Sequence, residues 1–244
     1  MRLKSAPGSP EMKRAHANPL VFEIAETLFR ILNQELFRSV AFFLNKYNQG
    51  TQPDFAEALS DLRTSTFPGQ EGTFTVSDDV DKLVQNLNIL YQQSDKNVGF
   101  FRGAILEKLA FRLLSQRCLP SECYSNQVIL DEHGREATGQ IDVGALSNNN
   151  YFIEGYECKT KAKGIYGLAS EDCDNLRALV RVAHHESYNV HVGVISFDSD
   201  NLVKSRLKHY NAPRYIKAYG LDSIRDLRKL PHYITPDDDL GNIS

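Results

Sequence analysis

The residues 139–161, GQIDVGALSNNNYFIEGYECKTK, place Asp142 inside one apolar run and Glu157, Cys158 and Lys159 at the close of the next. Alternate residues of a strand share a face. Glu157 and Lys159 therefore point one way, with Lys161 beyond them, while Tyr156 and Cys158 point the other. By the same count Asp142 shares its side with Gln140 and Gly144. The polar connection SNNN is short enough to predict a hairpin, which lets Asp142 and Glu157 converge. A third acid, Glu107, falls in a predicted helix among Gly103, Ala104, Ala110 and Phe111, all small or apolar. Carboxylates in such settings repel one another and are costly to bury without a partner. A divalent cation resolves that cost, and oxygen-only ligation with room for water suits Mg²⁺ or Mn²⁺. Lys159 beside these acids can orient or deprotonate an attacking water, or stabilise charge developing on a phosphate. A metal would lower the pKa of bound water and polarise the phosphoryl oxygen. Together these parts describe phosphodiester hydrolysis.

The elements that must position these residues fall into two textures. Asn18-Pro19 predicts a helix cap followed by Pro at the first helical position. Leu20, Ile24, Leu28, Ile31, Leu32 and Leu36 then recur at helical spacing as far as about Tyr47, in one helix or two. Residues 54–62 and 77–91 predict two more helices, the latter opening on Ser77-Asp78-Asp79. After a helix over 99–117 come three β-rich runs, NQVILD, ATGQIDVGAL and YFIEGYECKTK, separated by turns at EHGRE and SNNN. A helix over 171–186 carries Leu176, Leu179, Val180 and Ala183 on one stripe. VHVGVISF reads as a buried strand, 199–210 as a helix, IKAYGL as an edge strand and 223–230 as a last helix. This order implies an α/β fold whose mixed central sheet is flanked by helices. The expected organisation is a disordered arm over 1–17, a helical N-terminal region over 18–98, an α/β domain over 99–233 and an acidic tail over 234–244.

Asp142, followed one strand later by Glu157-Cys158-Lys159, resembles the motif of the PD-(D/E)XK, or restriction-endonuclease-like, nuclease superfamily. Ile141 stands where that motif often has Pro, and Glu107 matches an additional acid that many members carry. The resemblance covers about 99–197 and leaves the helical front outside it. It implies a mixed sheet flanked by helices and cleavage of DNA, or sometimes RNA, with a divalent metal. Carried over, Asp142 and Glu157 bind metal, with the Cys158 carbonyl a further ligand. Glu107 helps hold the metal or its water, Lys159 is the catalytic lysine, and Gln140 is a supporting candidate beside Asp142. E-x-K alone carries nothing, since Glu11-Met12-Lys13 matches it too; the context of strand, turn and strand carries the resemblance.

The alternative expectation is a catalytically inactive module of the same fold that binds nucleic acid or a partner protein. A net charge of -3 over 244 residues does not advertise nucleic-acid binding. Between Asn201 and Tyr233, however, eight Lys and Arg residues face only Asp222 and Asp226. That segment could track a phosphate backbone, although Tyr210, Tyr215 and Tyr219 within it fit core packing better than base stacking. Cys118 and Cys123 have no second Cys or His pair to complete a zinc site, so reduced thiols in a cytoplasmic protein are expected. The most apolar stretch, 20–44, is broken by charges, and no membrane span is expected. No G-x-x-x-x-G-K-[ST] loop is present, so any melting of nucleic acid would fall to a partner ATPase. A homodimer would suit cutting of both strands, by analogy of fold alone.

Overall fold

The computed structural model describes residues 1–64, 74–93, 98–164 and 167–238. The chain divides into two compact units, one of Ser9–Leu109 and one of Met1–Gly8 with Ala110–Ser244.

The helical unit holds α1 (Pro10–Ala17), α2 (Pro19–Arg30), α3 (Glu35–Lys46), α4 (Phe55–Thr64), α5 (Phe74–Gln92) and most of α6 (Val98–Leu114). Asn18 caps α2 as its side chain accepts from Leu20 N at 2.9 Å, with Pro19 at the first helical position. The long apolar run after it is two helices, interrupted over 31–34 by a turn in which Gln34 N donates to Ile31 O. α5 starts three residues before Ser77, so the cap expected at Ser77 lies inside a helix. The core of this unit gathers Phe43, Tyr47, Phe55 and Tyr91 in tilted and edge-to-face ring contacts, and Tyr91 Oη donates to Tyr47 O at 2.8 Å.

The sheet unit is α/β. Its mixed sheet runs in the order β1 (Arg2–Ser5), β2 (Cys123–Leu130), β3 (Glu136–Ser147), β4 (Phe152–Lys159), β5 (Asn189–Ser196) and β6 (Ile216–Tyr219). The first four strands are antiparallel neighbours, while β5 and β6 join in parallel. Each parallel junction needs a crossover, supplied by α7 (Ser170–His185) and α8 (Asp200–His209). Leu176, Leu179, Val180 and Ala183 of α7 are all buried against the sheet together with Ile153, Val190, Val192 and Val194. A 3₁₀ turn, Ile224–Arg228, replaces the last expected helix, and Ile234 bridges back to Val190.

The N-terminal arm corrects an expectation. Residues 1–17 were expected to be disordered, but Arg2–Ser5 pair with Gln127–Leu130 and Pro10–Ala17 form a helix capped by Ser9. Backbone ladder bonds build β1, whose four residues are all exposed, so no apolar pattern announces it. Of the expected acidic tail, residues 234–238 are described, with Ile234 bridged to Val190, and residues 239–244 lie outside the described residues. Among the described residues no helix is long and apolar enough to cross a membrane.

Candidate metal centre

β3 and β4 pair from Ser147↔Phe152 as far as Val143↔Tyr156, and there the ladder stops. One step further would set Asp142 opposite Glu157. Instead Asp142 Oδ2 accepts the Cys158 N–H at 2.8 Å, so a side chain takes the place of the backbone ladder. The pleat also breaks here. Gly144 pairs with Gly155, so both point to one face, and a Cβ on Gly155 would meet Leu179 of α7 and Ile141. Ile141 and Gly144 thus share a face although they stand three positions apart, an odd step that regular alternation would put on opposite faces, and Asp142 lies within the irregularity. Asn126, which continued register would place opposite Asp142, adopts a positive φ of 53°. The two-residue alternation used to place Gln140 and Gly144 on the Asp142 side therefore does not hold through this stretch. Gln140 nevertheless reaches Asp142, donating through Nε2 to Oδ1 at 3.3 Å and to Asn126 Oδ1 at 2.7 Å.

Glu157 is almost wholly buried, 2% exposed, and its Oε1 has no hydrogen-bond partner. Burial first, and then the neighbouring charge of Asp142, pushes its carboxyl well above the usual glutamate value; Asp172 adds to this and Lys159 opposes it. Lys159 Nζ lies 3.7 Å from Glu157 Oε2 and 2.9 Å from Asp172 Oδ1. Burial alone would lower the lysine, but Asp142, Glu157 and Asp172 together outweigh it and hold the ammonium above its ordinary value. Three carboxylates thus surround one ammonium, and the site is short of positive charge.

Asp172 is the residue that sequence reasoning missed. It stands in the first turn of α7, buried, where its Oδ2 accepts from Ala169 N at 2.7 Å. An acid at a helix start reads as a cap or a dipole partner, and nothing in the local spacing ties it to Lys159. Glu107 belongs to the helical unit, where it is buried and its Oε2 lies 3.0 Å from His16 Nε2. The Cys158 thiol is buried, as are those of Cys118 and Cys173, and all four cysteines are free.

Does this site fit a metal? Among the described residues no three His, Cys, Asp or Glu side chains form a ready cage. Where the ladder opens stand two carboxyl groups, Asp142 and Glu157, the latter with an orphaned buried oxygen and a carboxyl pushed above its usual value by burial. That donor set is all oxygen, which suits a hard ion that keeps several waters. The fit is that of a partly hydrated Mg²⁺ or Mn²⁺, and not of a closed structural site.

A second buried acid occupies the opposite face of β4. Glu154, fully buried, accepts from Arg117 Nη1 at 2.6 Å and from Arg117 Nη2, Tyr156 Oη at 2.7 Å and Tyr233 Oη at 2.6 Å. Burial pushes this carboxyl up, yet Arg117 and the two phenols more than offset it and hold it below the usual value.

Of the basic segment, Lys204, Lys208, Arg214, Lys217, Arg225 and Lys229 are exposed. Its tyrosines have other occupations: Tyr215 is buried, Tyr219 Oη bonds His191 Nε2 at 2.8 Å, and Tyr210 lies under the Arg206 guanidinium at 4.5 Å. Compared with known proteins, the chain matches no family model and no curated protein sequence.

Proposed function

We propose that the sheet unit is a divalent-metal-dependent nuclease of the PD-(D/E)XK type that hydrolyses phosphodiester bonds, with DNA preferred over RNA. One observation carries this reading: Glu157 is buried with an orphaned oxygen beside Asp142, at the point where the β3–β4 ladder opens, with Lys159 alongside. A purely structural acid in that position would have acquired a partner, as Glu154 has.

In this reading Asp142 and Glu157 would hold Mg²⁺ or Mn²⁺, with the Cys158 carbonyl as a further oxygen. The ion supplies Lewis acidity toward the phosphoryl oxygen and lowers the pKa of a bound water. The chain's own residues do the rest. Asp142 is oriented by Cys158 N–H and Gln140, which leaves its carboxylate rigid. Lys159 presents its ammonium where negative charge gathers on a phosphate in the transition state. The six exposed cations of the basic segment would contact backbone phosphates, which confers affinity without sequence choice.

The test is incubation with labelled linear and circular DNA, single strands and RNA in Mg²⁺, Mn²⁺ or EDTA, with Lys159→Ala run alongside. Cleavage that needs metal and disappears in the variant is the expected result. Cleavage that survives in Lys159→Ala would assign it to a contaminant. Binding of nucleic acid without cleavage, unchanged by chelator, would favour the inactive module.

A further inference from the structure

Resting on that reading, we infer that Asp172 is the positioning residue of Lys159, fixing the ammonium beside the scissile phosphate and away from full ion pairing with Glu157. Lysine is a compact charge on a flexible four-carbon stem and holds no single position without a tether. Asp172 is that tether, because each of its oxygens has a separate task. Oδ2 accepts the Ala169 N–H at 2.7 Å, which locks the carboxylate to the start of α7. Oδ1 lies 2.9 Å from Lys159 Nζ. A helix-capping role accounts for the first bond and leaves the second unexplained.

The distances also divide the charges. The ammonium is 2.9 Å from Asp172 and 3.7 Å from Glu157. Lys159 is therefore anchored on α7, and the Glu157 oxygen without a partner stays free of it. Were Asp172 absent, the ammonium would be left to Asp142 and Glu157, the groups that the proposed centre needs for metal. Residues that orient a reacting group from behind are worth roughly 10–100-fold in activity or metal affinity.

The experiment compares wild type with Asp172→Asn, Asp172→Glu, Lys159→Ala and the Lys159→Ala/Asp172→Asn double variant. Asn can still accept the Ala169 N–H, so the cap survives while the tether is lost, and Glu restores the charge at a longer reach. Two readouts are taken: steady-state cleavage of DNA in Mg²⁺, and acylation of each lysine by an amine-reactive ester, followed by mass spectrometry. Asp172→Asn is expected to lower kcat roughly 10–100-fold with KM for DNA unchanged. Asp172→Glu should recover part of kcat, and the Lys159→Ala variants should be inactive with or without Asp172→Asn. Acylation should rise at Lys159 in Asp172→Asn and stay constant at the other lysines. Full kcat in Asp172→Asn, or Lys159 acylation equal to wild type, would overturn the inference. A wild type that cleaves nothing would overturn the nuclease reading and the catalytic role with it, while the acylation pattern would still decide whether Asp172 holds Lys159.

Discussion

β4 carries two buried glutamates three residues apart, on opposite faces, and they have been treated in opposite ways. Glu154 receives a guanidinium and two phenols, and its carboxyl is held ionised. Glu157 faces a second carboxylate, keeps one oxygen without a partner, and its carboxyl is pushed well above the usual glutamate value by burial and then by Asp142. Buried charge is tolerated when it is fully hydrogen-bonded, and Glu154 shows that this strand can satisfy an acid completely. The same strand leaving Glu157 unsatisfied is therefore informative. Perturbed groups of this kind gather at functional sites, where strain is retained because the chemistry needs it.

The largest predicted difference between the two is in activity. Glu157→Gln should reduce metal-dependent cleavage by about 10²- to 10⁴-fold, the range for losing one group that acts in the chemical step. Glu154→Gln should retain cleavage wherever the protein stays folded. Parallel loss in both would erase the distinction.

Stability should show the reverse. Arg117→Ala strands the Glu154 carboxylate in the core and should cost about 3–5 kcal/mol, read as a lower urea midpoint. Adding Glu154→Gln to that variant should recover part of the loss, since the stranded charge is then gone.

Metal should act on Glu157 alone. Mg²⁺ at a hundred times its Kd should stabilise the wild type by about 2.7 kcal/mol, and should leave Asp142→Ala and Glu157→Gln unmoved. A thermal melt with and without Mg²⁺ reads this directly.

The smallest effect is the metal-free stability of Glu157→Gln, a gain of about 1–3 kcal/mol near neutral pH from removing an unsatisfied acid. Its size depends on pH. Glu154 has a depressed folded pKa, so its contribution is present above the ordinary glutamate value of 4.5 and is lost as pH falls through the folded value. Glu157 has a raised folded pKa, so the folded protein keeps a proton that the unfolded chain releases. Its contribution is present below 4.5 and fades as pH climbs toward the folded value. The advantage of Glu157→Gln should accordingly widen with rising pH across that window. Urea unfolding at several pH values, with metal chelated, measures it.

Much of the Glu157 side was legible in the sequence, because charged residues closing apolar strands are costly and stand out. Asp142, Glu157 and Lys159 were singled out on that ground, and the structure brings them together. The hairpin, the α7 stripe and the Asn18 cap were legible from turn length, periodicity and capping chemistry. Asp172 was not, since its tie to Lys159 is made through tertiary structure and its local setting reads as a helix start. Glu154 was passed over for a similar reason: its partners Arg117 and Tyr233 are 37 and 79 residues away along the chain. The break in the β3 pleat at Asp142 was hidden because alternation was assumed to run unbroken. β1 escaped because backbone pairing alone makes it, and exposed basic residues next to Pro and Ser look like a free arm.

The most direct measurement is calorimetric titration of Mg²⁺ into wild type and Glu157→Gln near neutral pH, in two buffers of different ionisation enthalpy. The account predicts a saturable isotherm for wild type, with a buffer-dependent heat if the raised Glu157 carboxyl loses a proton on binding, and no isotherm for the variant. Equal binding by both proteins, or no binding by wild type, would contradict it.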